Sequence, residues 1–129
     1  MDYPRFYTII QFPALKLQDL FFIFQDIEEQ DGDLSKIIIL TSTDEVAKTL
    51  TYELNKRHIS VSLVTGSRKE RKNRRAADGY SEGKFDVLIV SSSRISVETG
   101  EVAHFINYDI EDLGPDSLFI NKAKLRQRG

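Results

Sequence analysis

The chain of 129 residues contains no cysteine and only two histidines, His58 and His104. Without thiols there is no disulfide frame, and without a Cys/His cluster there is no structural zinc. The histidines lie far apart, one in a predicted helix-to-strand turn and one at the start of a predicted strand, so both read as structural or surface residues. No apolar run approaches the roughly 20 residues that span a bilayer, and no membrane partner is predicted. The N-terminal MDYPRFYT lacks the basic-then-apolar layout of a secretory signal. The expected setting is cytoplasmic or nuclear. No G-x-x-x-x-G-K-[ST] occurs, which excludes a P-loop phosphate cradle. ATP binding by this domain alone is therefore not expected, and neither a cofactor nor a metal is predicted.

What is present is the composition of one globular domain, 40% hydrophobic and 29% charged. The net charge of −2 is unevenly spread: residues 68–75 hold six basic side chains and one acidic one, a local +5 that leaves −7 elsewhere. A partner that seeks positive charge must find it there.

Residues 6–11 read as a strand stopped by Phe12 and Pro13. Residues 14–30 follow at helical spacing, with Leu17, Leu20, Phe21, Phe24 and Ile27 on one stripe that Phe22 and Ile23 widen. The broad stripe fits a helix covered on two sides, or an exposed Phe patch used for association. The acidic turn at 28–33 ends this helix at Gly32. KIIIL at 36–40 is a continuous apolar run, as expected of a central parallel strand. Ser42 with Glu45 predicts a capping box for a helix reaching Arg57. A strand at 59–64, a loop at 65–67 and a helix at 68–80 complete a second such unit. VLIV at 87–90 and a strand at 105–108 follow, then an acidic loop at 109–116 and a short helix at 116–126. Repeated strand–loop–helix units with right-handed crossovers give an α/β fold, a parallel sheet with helices on both faces. The abrupt end at RQRG reads as that of a piece of a longer protein.

In such sheets ligands bind outside the carboxyl ends of the strands. Three loops leave those ends: Thr41 to Thr43, Thr65 to Ser67, and Ser91 to Arg94. All are rich in hydroxyls and free of acidic side chains. Hydroxyls, loop N–H groups and helix N-termini bind phosphate oxygens, and Gly66 lets a backbone come close. The alternative is that Ser and Thr simply cap helices here. Arg68, Lys69, Arg71, Lys72, Arg74 and Arg75 open a predicted helix, where cations oppose the macrodipole. They fit nucleic acid, an acidic protein surface or a solvated face.

The order ISVSLVTG, a basic helix, Tyr80-Ser81-Glu82-Gly83-Lys84, VLIV and HFINYD resembles the second, C-terminal RecA-like domain of a DEAD-box RNA helicase over nearly the whole chain. The resemblance implies a RecA-like fold in a single domain over 1–129, beside an N-terminal RecA-like domain. It also implies loops that grip the backbone of single-stranded RNA. Thr43 and Gly66 match the family's RNA-facing residues, and Ser91 replaces a threonine.

The catalytic positions depart from the family. Its H-R-x-G-R-x-x-R motif corresponds to Ile120, Asn121, Ala123, Lys124 and Gln127, which removes the arginines that stabilise a transferred phosphate. Its T-D-x-x-x-R-G-x-D appears as SSSRISVET, with Ser92 for the aspartate, and the Q-x-x-R pair becomes Glu70 and Asn73. A charged Glu70 repels phosphate unless a neighbour such as Arg74 pairs with it. These losses imply a degenerate, non-enzymatic RNA-binding module of a ribonucleoprotein factor, with single-stranded RNA contacts at Thr43, Gly66, Ser91, Arg94 and the six cations. A protein-interaction or self-association scaffold, including a homodimer, is the alternative. An active ATP-dependent helicase is a third, with Arg126 or Arg128 as a shifted finger. The pattern of loss resembles that of Tudor-domain helicase-like proteins of germline small-RNA (piRNA) silencing, the Yb group, and fits other divergent DEAD-box relatives equally.

Overall fold

The computed structural model describes residues 5–8, 16–91, 99–100 and 102–110. The elements run β1 Arg5–Thr8, α1 Lys16–Asp31, β2 Ile37–Leu40, α2 Asp44–Lys56, β3 Val61–Val64, α3 Glu70–Ser81, β4 Val87–Val90 and β5 His104–Asn107. The five described strands form one parallel sheet in the order β1-β5-β2-β4-β3. The apolar run at 36–40 is thus the central strand, and every residue of β2 and β4 is buried.

Successive side chains of a strand point to opposite faces, and this builds two cores. Ile37, Ile39, Val87 and Ile89 meet Leu20, Phe24 and Ile27 of α1 and Ala47, Leu50 and Leu54 of α2. Ile38, Leu40, Leu88 and Val90 face the other way, with Tyr80 of α3 and with Phe105. Burying each such Ile or Leu side chain stabilises by about 1.5–3 kcal/mol. The α1 stripe is therefore core along Leu20, Phe24 and Ile27, with Leu17, Phe21 and Ile23 partly buried against it. Phe22, read as part of that stripe, lies outside it and is 56% exposed.

The helix ends follow local chemistry. Gly32 closes α1 at φ +87°. The predicted Ser42–Glu45 capping box is replaced by a cap one residue later. Thr43 is extended and its hydroxyl accepts from the Val46 amide at 3.2 Å. That places Val46, not Glu45, at the third helical position, where it has no carboxylate to return. Ser42 is held instead by Asp109. The basic run also starts earlier than its helix: α3 begins at Glu70, so Arg68 and Lys69 precede it, and Lys69 caps it with no side-chain bond. The predicted helix at 116–126, Arg94, and the positions aligned with the family's last motif lie outside the described residues.

Candidate nucleic-acid interface

The sheet register builds the rim. Leu40 pairs with Val90 and Asn107, and Val90 with Val64, so the four strands end level. Bonds from the next residues extend that row: Thr41 N to Val90 O at 2.8 Å, Ser91 N to Val64 O at 3.0 Å, and Tyr108 N to Leu40 O at 2.9 Å. The hydroxyl-bearing loops that begin at Thr41, Thr65 and Ser91 therefore do leave the sheet side by side, with β4 between the other two.

Their hydroxyls are not all turned outward. Thr41 and Thr65 are fully buried, and the Thr41 hydroxyl donates to Val90 O at 3.0 Å. The loops themselves are free of acids, but the space they enclose is not. The Ser91 hydroxyl donates to Asp44, the first residue of α2. The Ser67 hydroxyl bonds to the same carboxylate, and that bond first, then the one from Ser91, holds Asp44 below the usual aspartate range. Further along, Asp109 accepts from the Ser42 amide at 2.7 Å and the Ser42 hydroxyl at 2.5 Å. Half of the rim is thus closed on its own carboxylates.

Thr43 and Gly66 are exposed, as are Ser42 and Ser67, whose hydroxyls are engaged by Asp109 and Asp44. The Thr43 oxygen accepts the cap bond, which leaves its proton for an external acceptor. A Cβ built on Gly66 meets nothing within 4 Å, and its φ is not left-handed, so nothing within the fold requires glycine there.

The six cations, all within residues 68–75, divide in space. Arg68, Lys72 and Arg75 line a groove of about 390 Å3 along β3, with Arg68 donating to Leu63 O at 2.5 Å. Lys69, Arg71 and Arg74 lie outside that groove. Arg74 pairs with Glu70 at 2.9 Å, the neighbour that offsets the acid standing in the Q-x-x-R pattern. Asn73, at the other position of that pattern, is buried and clamps the rim. Its amide nitrogen donates to Thr65 O at 2.8 Å, and its oxygen accepts from Thr65 N at 3.2 Å. Nothing in the local sequence distinguishes this role from that of a surface asparagine.

Neither histidine belongs to the site. His58 is exposed at φ +63° in the turn after α2, and His104 is fully buried with Nε2 2.8 Å from Asp31 Oδ2. Among the described residues no group of three His, Cys, Asp or Glu can hold a metal. No described helix is long and apolar enough to cross a membrane.

No protein-family model and no curated protein sequence matches the chain. Solved structures do. The C-terminal domain of the DEAD-box protein Dbp5 is 24% identical with a TM-score of 0.63, over 87% of this chain and 60% of that one. S. cerevisiae Dbp5 bound to RNA and ADP BeF3 is 22% identical with a TM-score of 0.68, over 95% of this chain and 32% of that one. E. coli DEAD-box SrmB bound to regulator of ribonuclease activity A is 16% identical with a TM-score of 0.69, over 98% of this chain and 72% of that one. At these identities the likeness concerns the fold. The chain has the RecA-like fold of DEAD-box helicase C-terminal domains, and it spans 60% of the first of these structures.

Proposed function

We propose that this domain is a catalytically degenerate helicase-type module that binds single-stranded RNA as part of a larger ribonucleoprotein factor, with small-RNA silencing as one setting. The observation that carries this is the half of the rim not closed on carboxylates. There Thr43 and Gly66 are exposed, and Arg68 and Lys69 leave the same loop as Gly66. A phosphate backbone can receive the Thr43 proton, approach the open backbone at Gly66, and meet the cations beyond. Ser91 acts indirectly, by holding Asp44 in place. Dbp5, similar in fold, is bound to RNA in one of its structures. The absence of arginines at the positions aligned with the family's last motif supports binding without ATP turnover by this domain.

The test is fluorescence anisotropy of a labelled single-stranded oligouridine, titrated with the purified domain at several salt concentrations. The log affinity is expected to fall with log salt by about 0.7 per phosphate neutralised, unchanged by ATP. Gly66→Ala should weaken binding while leaving the melting temperature intact, because its methyl meets no atom. Absence of binding at low salt by a folded sample would sink the proposal.

A second function, as a protein-interaction scaffold, is favoured by one observation. A groove of about 420 Å3 is lined by Leu17 of α1, by Glu45, Val46, Leu50 and Glu53 of α2, and by Asp109. Phe22 and Tyr52, the large apolar residues exposed on the same two helices, stand 56% and 62% exposed. SrmB, similar in fold, is bound to a protein regulator.

A further inference from the structure

The groove along β3 has properties that RNA binding at the rim does not use. β3 is the last strand on its side of the described sheet. Ser60 O accepts from Val87 N and Val64 O from Ser91 N, so these even-numbered residues face β4. Alternation then turns the N–H and C=O groups of Val61 and Leu63 to the open edge. An open edge of this kind is a template for another strand. Here one of its carbonyls, Leu63 O, is covered by the Arg68 guanidinium at 2.5 Å.

The walls of the groove specify what can enter. Arg68, Lys72 and Arg75 supply three positive charges with no acidic residue in the lining, above the apolar Val61, Leu63 and Phe85. A second copy joining edge to edge would bring six cations together and is disfavoured. Nucleic acid would find charge but no base-stacking face. Phe85 is the aromatic of the groove, and its ring is wedged against Gly79, where a Cβ would come within 2.7 Å of it.

We propose that the free edge of β3 docks an extended, acidic segment of a partner protein, which adds to the sheet as a further strand. The entering strand's N–H takes over Leu63 O. Arg68, released from that carbonyl, pairs with a carboxylate of the segment alongside Lys72 and Arg75. Backbone bonds supply affinity, and the alternation of acidic and apolar side chains supplies selectivity. This surface runs along β3 beside the rim and shares Arg68 with it, while Val61, Leu63, Lys72, Arg75 and Phe85 belong to the groove.

The probe is an acetylated octapeptide of alternating acidic and β-branched residues, titrated into the 15N-labelled chain. The Val61 and Leu63 amide signals should move while those of Thr43 and Gly66 stay. Lys72→Glu with Arg75→Glu should weaken binding by tenfold or more, and because both side chains are exposed the melting temperature should hold. A peptide N-methylated at alternate residues keeps the charge but loses the strand bonds, and should not bind. Equal binding of the N-methylated peptide overturns the proposal, as does no binding of the parent peptide. Movement of Val61 and Leu63 by a decameric oligouridine alone also overturns it, and would make the groove part of an RNA path.

Discussion

His58 occupies the position after α2 where a helix most often places glycine. Its amide donates to Asn55 O at 3.0 Å and that of Ile59 to Leu54 O at 3.1 Å, a paired closure that needs the left-handed φ of +63° found here. A side chain in that region is strained. His58→Gly is expected to raise stability by about 0.5–1 kcal/mol, net of the entropy glycine loses on folding, as read by urea unfolding. Asp44 gives a pH signature. Its folded pKa lies below the ordinary 3.8 because the Ser67 and Ser91 hydroxyls bond the charged form. Its contribution is therefore present above the unfolded value and is lost as pH falls through the folded one. Asp44→Asn should flatten the acid limb of stability against pH and leave the neutral plateau lower. The pairing behind this was invisible locally: Asp44 reads as an ordinary first-turn acid, and the hydroxyls it collects come from two other loops.

At the scale of elements, α2 and α3 are opposites. α2 has a threonine cap, Asp44 and Glu45 in its first turn and Lys56 in its last, so each end complements the macrodipole. α3 starts at an uncapped Lys69 with Arg71 and Lys72 close behind. Lys69→Ser should add about 1 kcal/mol by supplying the missing cap, measured by thermal unfolding. On the RNA-binding proposal the same change weakens oligouridine binding, so stability and affinity should move in opposite directions. Element identity was legible because period 3.6 and continuous apolar runs separate α1 from β2 and β4. Ends were less so. Ser42 and Thr43 are both competent caps, and the choice fell to Thr43 because Asp109, 67 residues away, takes the Ser42 hydroxyl.

For the whole molecule, the edge of β3 has to resist its own copies. Arg68 covers Leu63 O, and two such edges repel through Arg68, Lys72 and Arg75. Replacing all three by alanine should turn a sample that sediments as a monomer into one whose mass rises with concentration; unchanged sedimentation would show that charge does not protect this edge.

The sequence by itself determined the strand–loop–helix units, the parallel sheet, the central place of KIIIL and the core stripe of α1. Side-chain periodicity and crossover handedness are local rules, and each unit obeys them alone. Only the tertiary structure decided how the candidate site is divided. Level strand ends carry Asp44 and Asp109 to hydroxyls distant in sequence, closing half of a rim whose loops contain no acid. The turn of α3, about 100° per residue, sorts Lys72 and Arg75 into a groove and Arg71 and Arg74 away from it. Sequence neighbours share a face only when the geometry of their element returns them to it.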